Sequence, residues 1–305
     1  MTIVRDSASA LPIGVFDSGV GGLTVWQELR KQLPNESFVY LGDTAHLPYG
    51  GRSRDEILHF VRDIVTWMLE RPVKAIVMAC NTSSALALEI VRDECPVPIL
   101  GLILPGARAA VRHGKRIGIW ATPATANSHA YRAAIQEMNP EIPCWELACP
   151  KFVPLIESGK LRGRLARATI REYLRPLLTR DIDTLVYGCT HYPLLAPELS
   201  KLLPPGISVV DPAASLVAAV RKELECLALL EHGRIGTTQF YVSGNDTDRF
   251  AELASRLLAG NPIDGASSRL RVRQACLDLT RSLDAASLDA LAVETSPTPF
   301  SIHAE

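Results

Sequence analysis

The sequence predicts an α/β fold in which mainly parallel sheets are flanked by helices. Three observations support this prediction. Short apolar runs, each too short to be a helix, recur along the chain as buried strands would. Longer amphipathic stretches separate them, and strands that alternate with helices pair in parallel through crossover connections. The chain has 305 residues, which corresponds to about two domains of roughly 150 residues each.

Eight apolar runs are predicted to be strands, with helices between them. The strands are expected at residues 13–17, 37–42, 75–79, 99–102, 116–120, 144–147, 184–187 and 208–210. The clearest helix begins after Ser53, because Ser-Arg-Asp-Glu is a capping box, and it ends at Arg71, which precedes a proline. A second amphipathic helix is expected over residues 162–178.

Composition and charge argue against several classes of protein. Apolar residues make up 47% of the chain and charged residues 21%, as in a folded protein with a sizeable core. Thirty-two basic and 33 acidic residues leave a net charge of −1, so no basic excess is available for binding nucleic acid. The longest apolar run, residues 97–107, contains two prolines and is shorter than the ~20 residues of a membrane span.

The cysteines and the first residues indicate a cytoplasmic protein. The N-terminus lacks the basic start and the apolar stretch of a secretory signal. The seven cysteines include no CxxC pair, which favours neither a disulfide framework nor a thiolate zinc site. We therefore expect a reducing compartment, no bound metal and free thiols.

Two segments of the chain share one plan. KAIVMACNT, residues 74–82, and DTLVYGCTH, residues 183–191, each contain an apolar strand, a small residue, a cysteine and polar residues that open a helix. Ligands of open α/β sheets bind at the carboxyl ends of strands, so Cys80 and Cys189 are both expected at a ligand site. A free cysteine is usually a small buried apolar residue, but two in matched settings favour a functional role.

The surroundings of both cysteines suit proton transfer. The N-terminus of a helix favours the thiolate form of a cysteine through its dipole and its free N–H groups. His191, two residues after Cys189, can relay a proton. Two thiols on opposite sides of a carbon acid can remove a proton from one face and return one to the other, which inverts a stereocentre. A hydrolase with a single Cys–His pair would leave the second cysteine unexplained.

Two loops at the ends of predicted strands can complete the site. The first, DSGVGG at residues 17–22, has backbone N–H groups that can hold an anion. It departs from a dinucleotide fingerprint, because Thr24 stands where the third glycine belongs and Asp17 crowds the pyrophosphate. A carboxylate-binding loop is therefore favoured. The second, DTAHLPYGG at residues 43–51, can close over a small ligand.

These segments resemble the signature segments of the glutamate racemases. The matching stretches are IGVFDSGVGGLTV, YLGDTAHLPYG, VMACNTSSALALE, ACPKFVPLIESG and VYGCTHYPLL. The resemblance implies racemisation of glutamate without a cofactor, in the cytoplasm, to supply D-glutamate for peptidoglycan. The implied partner is the small-molecule substrate, with no requirement for nucleic acid or a membrane. The oligomeric state is left open, a homodimer included.

The resemblance also implies two similar α/β domains that enclose the substrate in the cleft between them. The first domain is expected over residues 11–105 and 213–265, and the second over residues 106–212. Residues 266–305, rich in serine and alanine, are expected to form a mobile C-terminal tail with one helix near residues 270–283.

Carried over position by position, the resemblance assigns roles to individual residues. Cys80 would take the α-proton from the D enantiomer with help from Asp17, and Cys189 would take it from the L enantiomer with help from His191. Further matched positions are expected to bind the carboxylates and the amino group of the substrate. Together with Asp17 and His191 they are Ser18, Tyr49, Gly50, Asn81, Thr82, Thr125, Glu157 and Thr190.

The sequence leaves three alternatives. An aspartate racemase of the same family would need the same two thiols, because substrate length depends on the shape of the pocket. A non-catalytic amino-acid sensor would need the crevice but not a pair of thiols. A nicotinamide oxidoreductase is disfavoured by the broken glycine fingerprint.

Overall fold

A computed structural model of the protein describes residues 8–233, 235–258 and 270–277. These residues form two sheets in which every strand pair is parallel, with helices packed around both sheets. The predicted α/β class is confirmed. The strands are β1 (Ile13–Asp17), β2 (Phe38–Gly42), β3 (Ala75–Met78), β4 (Ile99–Gly101), β5 (Ile117–Ala121), β6 (Cys144–Ala148), β7 (Thr184–Gly188), β8 (Ser208–Val210), β9 (Thr238–Val242) and β10 (Val272–Gln274).

The helices lie between the strands, as the alternating pattern predicts. They are α1 (Leu23–Gln32), α2 (Arg54–Leu69), α3 (Asn81–Leu86), α4 (Leu88–Glu94), α5 (Ile103–His113), α6 (Pro123–Ser128), α7 (Ala130–Met138), α8 (Phe152–Glu157), α9 (Arg164–Leu178), α10 (Ala196–Leu199), α11 (Pro212–Cys226) and α12 (Thr247–Leu257). Short 3₁₀ turns cover Tyr49–Gly51 and Tyr192–Leu195.

The predicted start of α2 is confirmed in atomic detail. The Ser53 hydroxyl accepts a hydrogen bond from the Glu56 N–H at 3.3 Å, and the Glu56 carboxylate accepts one from the Ser53 N–H at 2.9 Å. This capping box satisfies N–H groups that the first helical turn leaves without partners. It fixes where the loop of residues 43–51 ends and the helix begins.

The order of the strands places the ends of β3 and β7 at equivalent positions. The first sheet runs β10-β9-β2-β1-β3-β4 and the second runs β6-β5-β7-β8. The chain reverses direction across the first sheet at β1 and across the second at β5. Ligand crevices of open parallel sheets form at such switch points, outside the carboxyl ends of the strands. Cys80 follows β3 and Cys189 follows β7, so each cysteine lies at the switch point of its own sheet.

Each sheet is buried on both faces. In the first sheet, Ile13 and Val15 of β1 pack with α1, α11 and α12, whereas Phe16 packs with α2 on the other face. The second sheet is likewise divided between two apolar clusters. Burial on both faces holds the strand ends, and the side chains that follow them, in fixed positions.

The end of the chain differs from the prediction where the structure describes it. A helix near residues 270–283 is wrong for residues 272–274, which form β10 and pair in parallel with β9. This short strand extends the edge of the first sheet, so residues 272–274 are part of that sheet instead of a mobile tail. Residues 259–269 and 278–305 lie outside the described residues. The division of the chain into domains stays a prediction, and β10 lies beyond the boundary placed at residue 265.

The helices and the polar side chains of the described residues bear on membranes and metals. In the parts of the chain that the structure describes, none of the helices combines the length and apolar character needed to cross a bilayer. The same residues contain no group of three or more His, Cys, Asp or Glu side chains arranged to hold a metal ion.

Candidate active site

The two strand-end cysteines line one cavity of about 190 Å³. Both side chains are almost fully buried, with 5% of each residue exposed. The walls come from both sheets. Predicted site residues that line the cavity are Ser18, Tyr49, Gly50, Cys80, Asn81, Thr82, Cys189, Thr190 and His191. Residues far apart in the sequence therefore meet at one site, as the repeat predicts.

Cys80 lies in an acidic, buried environment. Burial and the nearby charge of Asp17 raise the pKa of the Cys80 thiol to about 12, so at neutral pH Cys80 keeps its proton. Asp17 is itself fully buried, and burial raises its pKa against the opposing effects of His191 and of backbone hydrogen bonds. One oxygen of Asp17, Oδ1, is buried without a hydrogen-bond partner. An unpartnered buried carboxylate oxygen beside a thiol is suited to accept its proton.

Cys189 lies in the opposite electrostatic environment. Its Sγ is 3.7 Å from His191 Nδ1, and the other ring nitrogen, Nε2, is 3.4 Å from Glu157 Oε1. Burial disfavours the charged imidazole, but Cys189, Glu157 and Asp17 together outweigh it and raise the pKa of His191 to about 10. His191 is therefore an imidazolium at neutral pH, and a cation next to a thiol stabilises the thiolate.

The glycine-rich turn after β1 serves both cysteines. Asp17 Oδ2 accepts hydrogen bonds from the N–H groups of Gly19 at 3.1 Å and Gly22 at 2.8 Å. Two N–H groups that a nucleotide phosphate would need are therefore occupied by the protein's own carboxylate. At Gly21, a Cβ atom would lie 2.3 Å from His191 Nδ1. Only glycine lets the His191 ring approach the turn so closely.

Hydrogen bonds between side chains that follow strands of the two sheets hold the polar residues of the site in place. The Thr82 hydroxyl lies 3.0 Å from that of Thr122 and 3.1 Å from that of Thr125. The Tyr131 hydroxyl donates to Asn81 Oδ1 at 2.7 Å. Residues that follow β3 are thus tied to residues that follow β5. These bonds fix side chains of one half of the cavity against the other half.

Three predicted site residues stand behind the wall of the cavity. Asp17 lies beside Cys80, Thr125 is fully buried behind Thr82, and Glu157 contacts His191. Each touches or faces a residue that does line the cavity. Direct contact of these three with a substrate stays a prediction, and their positions favour action through their neighbours.

Other residues of the wall were not named individually in the sequence analysis, although three of them belong to the loop of residues 43–51 that was expected to close over a ligand. They are Leu47, Pro48, Gly51, Thr122, Pro123, Cys149, Pro150, Val153 and Pro154. Thr122 directly follows β5 and Cys149 directly follows β6. The rule that identifies Cys80 and Cys189, polar or reactive residues at the carboxyl ends of parallel strands, would have found both of these.

The arrangement suits acid–base chemistry on a small molecule held between two thiols. One thiol is held protonated next to a carboxylate, and the other is next to an imidazolium. A carbon acid in the cavity would meet a base from one sheet and an acid from the other. Proton transfer by two positioned groups is the reaction that this geometry can perform directly.

A family model and individual relatives agree on the kind of protein that this chain resembles. A sequence model described as Asp/Glu/hydantoin racemase matches residues 21–220. A glutamate racemase of Trichormus variabilis is 60% identical over 233 residues, which cover 76% of this chain and 80% of that protein.

Solved structures agree with this result. A glutamate racemase from Thermus thermophilus, in complex with β-chloro-D-alanine, has a TM-score of 0.79 and 39% identity, covering 89% of this chain and 99% of that one. A glutamate racemase from Francisella tularensis, in complex with D-glutamate, has a TM-score of 0.80 and 33% identity, covering 89% of this chain and 98% of that one.

Proposed function

This chain belongs to the Asp/Glu/hydantoin racemase family, and we propose that it interconverts L- and D-glutamate with Cys80 and Cys189 as its acid–base pair. The resemblance seen in the sequence motifs is confirmed, and the chain is an amino-acid racemase. Glutamate is proposed as the substrate because relatives that match most of the chain are named glutamate racemases. A relative of known structure was solved with D-glutamate.

One observation carries the mechanism. Two cysteines that occupy equivalent places in the two sheets line a single small cavity. Racemisation needs a base on one face of the α-carbon and an acid on the other. A binding protein would have no use for two buried thiols with opposite electrostatic neighbours, so this pair favours catalysis over sensing.

The reaction of L-glutamate can be written step by step. The Cys189 thiolate, stabilised by the His191 imidazolium, removes the α-proton: the C–H bond breaks, and an S–H bond forms. The electron pair left on the α-carbon takes a proton from the Cys80 thiol on the opposite face. The product is D-glutamate, with Cys189 protonated and Cys80 as the thiolate. D-glutamate reacts through the same steps in reverse, and Asp17 assists Cys80 by exchanging its proton.

The remaining cavity residues are proposed to hold the substrate. Ser18, Asn81, Thr82 and Thr190 supply hydroxyl and amide groups near the two thiols, which suits a carboxylate and an ammonium group. Tyr49 and Gly50 close the cavity from the loop after β2. Holding the α-carbon between the sulfurs converts proton transfer into a reaction within one complex, which lowers its entropic cost.

The wider role follows from the proposed product. We propose that the enzyme works without a cofactor in the cytoplasm and that its D-glutamate is used for peptidoglycan. The two thiols supply both the base and the acid, so the proposed reaction needs no further group to move a proton. This reasoning supports catalysis in which only side chains take part.

The test is direct. Purified protein is given L-glutamate or L-aspartate, and the enantiomers are separated by chiral chromatography. We expect D-glutamate to form with little D-aspartate, at a rate that survives treatment with EDTA and with hydroxylamine. Racemisation of aspartate alone would overturn the choice of substrate. Activity that a divalent metal or pyridoxal phosphate restored after these treatments would overturn the two-thiol mechanism.

A further inference from the structure

One wall of the cavity is a loop that is organised around a buried carboxylate. This loop, residues 43–51, is called the Tyr49 loop below, and its residues 47–51 line the cavity. Asp43 begins it, is fully buried, and directly follows β2. The Tyr49 hydroxyl donates to Asp43 Oδ2. The His46 ring contributes Nδ1, which lies 2.9 Å from both carboxylate oxygens.

A residue about two hundred positions away completes the contacts of Asp43. Ser243 directly follows β9, and its hydroxyl donates to Asp43 Oδ1 at 2.5 Å. The same hydroxyl oxygen accepts a hydrogen bond from the Ala45 N–H at 2.9 Å. Next to it, the Gly244 N–H donates to the Thr44 hydroxyl at 3.0 Å. Residues 243 and 244 therefore hold the first three residues of the Tyr49 loop.

We propose that Ser243 is a positioning residue for substrate binding, acting through Asp43 on the Tyr49 loop. This inference rests on the proposed racemase function for its substrate, glutamate. Ser243 is not on the wall of the cavity that holds the thiols, but it fixes the carboxylate on which Tyr49 depends. Hydrogen bonds to a charged group are stronger than those between neutral groups, so the Ser243 hydroxyl is a strong restraint.

The far end of the loop explains why its position matters. At Gly50, a Cβ atom would lie 3.0 Å from Thr122 Cβ, so the loop meets the second sheet closely. Thr122 in turn is hydrogen-bonded to Thr82. A shift of Asp43 would move Tyr49 and Gly50 against this contact and would reshape the wall. Cys80 follows β3 and Cys189 follows β7, and neither strand takes part in the hydrogen bonds of Ser243 described above. Proton transfer by the two thiols should therefore be unaffected.

The test is a set of variants of the full chain. Ser243→Ala should raise KM for glutamate about tenfold with kcat nearly unchanged, because one charge-assisted bond to Asp43 is lost. Ser243→Thr retains the hydroxyl and should restore most of the KM. The control is Ser255→Ala, an exposed serine on α12 whose hydroxyl donates to the Ala251 carbonyl at 2.7 Å, and it should leave both constants unchanged.

A second measurement reports on the loop without any substrate. Hydrogen–deuterium exchange should be faster in residues 44–51 of Ser243→Ala and unchanged in α2. If Ser243→Ala does not fold, Thr44→Val removes the neighbouring bond to Gly244 and should change exchange and KM in the same direction by less. Unchanged exchange, or faster exchange with an unchanged KM, would overturn the inference. If exchange is faster in Ser243→Ala but the wild-type protein does not racemise glutamate, the result would instead overturn the proposed function.

Discussion

The strands of the two sheets end at matching backbone positions, but the side chains at those strand ends carry different charges. β1, β2 and β3 of the first sheet correspond in order to β5, β6 and β7 of the second. The residues at matching strand ends are Asp17 and Ala121, Asp43 and Cys149, and Cys80 and Cys189. The first sheet thus places a carboxylate, Asp17, beside its cysteine, whereas the second pairs its cysteine with a histidine. The repeat places one thiol at the end of a strand in each sheet, and the neighbouring charges give the two thiols different environments.

This difference acts on the two thiols before the substrate arrives. Burial and Asp17 raise the pKa of Cys80 to about 12, so Cys80 is a thiol at neutral pH. The His191 imidazolium, whose pKa is about 10, places a positive charge 3.7 Å from the sulfur of Cys189. The free protein is therefore prepared to donate a proton at Cys80 and has a cation beside Cys189. In the proposed mechanism this is the state that reacts with L-glutamate.

The largest expected effect comes from removing either thiol. Cys80→Ser and Cys189→Ser should each lower racemisation of glutamate by about 10³-fold or more, because serine has nearly the same size but is a much weaker acid. Polarimetry measures the rate, and circular dichroism checks that the variants fold. A variant that kept full racemisation would show that its cysteine is not part of the mechanism.

Racemisation alone cannot tell the thiols apart. L- and D-glutamate have equal free energies, so kcat/KM must fall equally in both directions for any variant. A glutamate analogue with chloride on the β-carbon removes this constraint, because loss of the α-proton is followed by loss of chloride. The resulting enamine tautomerises to an imine, which water hydrolyses to 2-oxoglutarate and ammonia. Cys80→Ser should keep elimination from the L enantiomer and lose it from the D enantiomer, and Cys189→Ser should do the reverse. Loss of the same enantiomer by both variants would contradict the assignment.

The second-largest expected effect concerns only Cys189, the cysteine of the second sheet. In Gly21→Ala, the new Cβ would lie 2.3 Å from His191 Nδ1 and 2.6 Å from Thr190 Oγ1. It should displace the imidazole from Cys189 and lower elimination from the L enantiomer about 10²-fold, the scale of a displacement near 1 Å. Elimination from the D enantiomer should change much less.

The matched control for this variant is in the same turn. In Gly19→Ala, the atoms nearest to the new Cβ would belong to the Leu47 side chain, with its methyl groups at 3.3 Å, and a flexible side-chain end can move. Its loss of activity should be much smaller and similar for both enantiomers. Equal losses in the two variants would mean that the turn tolerates no side chain anywhere, and the specific contact with His191 would lose its support.

Much of the fold could be predicted because its signals are local. The eight strands from β1 to β8 are apolar runs that are recognisable without their partners. β9 and β10 gave weaker signals. In β9 buried Phe240 is followed by half-buried Tyr241, and in β10 both Arg273 and Gln274 are exposed. Their strand conformation depends on pairing with β2 and with each other, which is a long-range contact that no short window contains.

The residues of the site likewise divide into those with a local sequence signal and those whose contacts form only in the folded chain. Cys80 and Cys189 could be found because a strand, a small residue and a cysteine occur twice. The contact between His191 and Glu157, and the bond between Thr82 and Thr122, join different elements and arise only when the chain packs. Ser243 had no local signal either, because its partner Asp43 is 200 residues away.

The third prediction separates the two helpers. Asp17→Asn should lower elimination from the D enantiomer about 10- to 100-fold, because the amide cannot take the proton of Cys80. His191→Asn should lower elimination from the L enantiomer by a similar factor, since each loses one charged partner of a thiol. The rates are measured with both enantiomers of the β-chloro analogue. If either variant slowed both enantiomers equally, the helpers would not be specific to one cysteine.

The smallest expected effect concerns the reactivity of the two thiols without substrate. Cys80 and Cys189 are equally buried, with 5% of each residue exposed, so access does not favour either one. At pH 7, iodoacetamide should modify Cys189 faster than Cys80, because the thiolate is the reactive form and the Cys80 pKa of about 12 leaves very little of it at that residue. The Cys80 thiolate fraction should rise about tenfold per pH unit below its pKa of about 12, whereas the His191 imidazolium persists to about pH 10. Modification of Cys80 should therefore become about tenfold faster with each pH unit from 7 to 9. Mass spectrometry of the peptides resolves each site, and His191→Asn should slow Cys189 towards the rate of Cys80. Faster modification of Cys80 at pH 7 would reverse the proposed resting state.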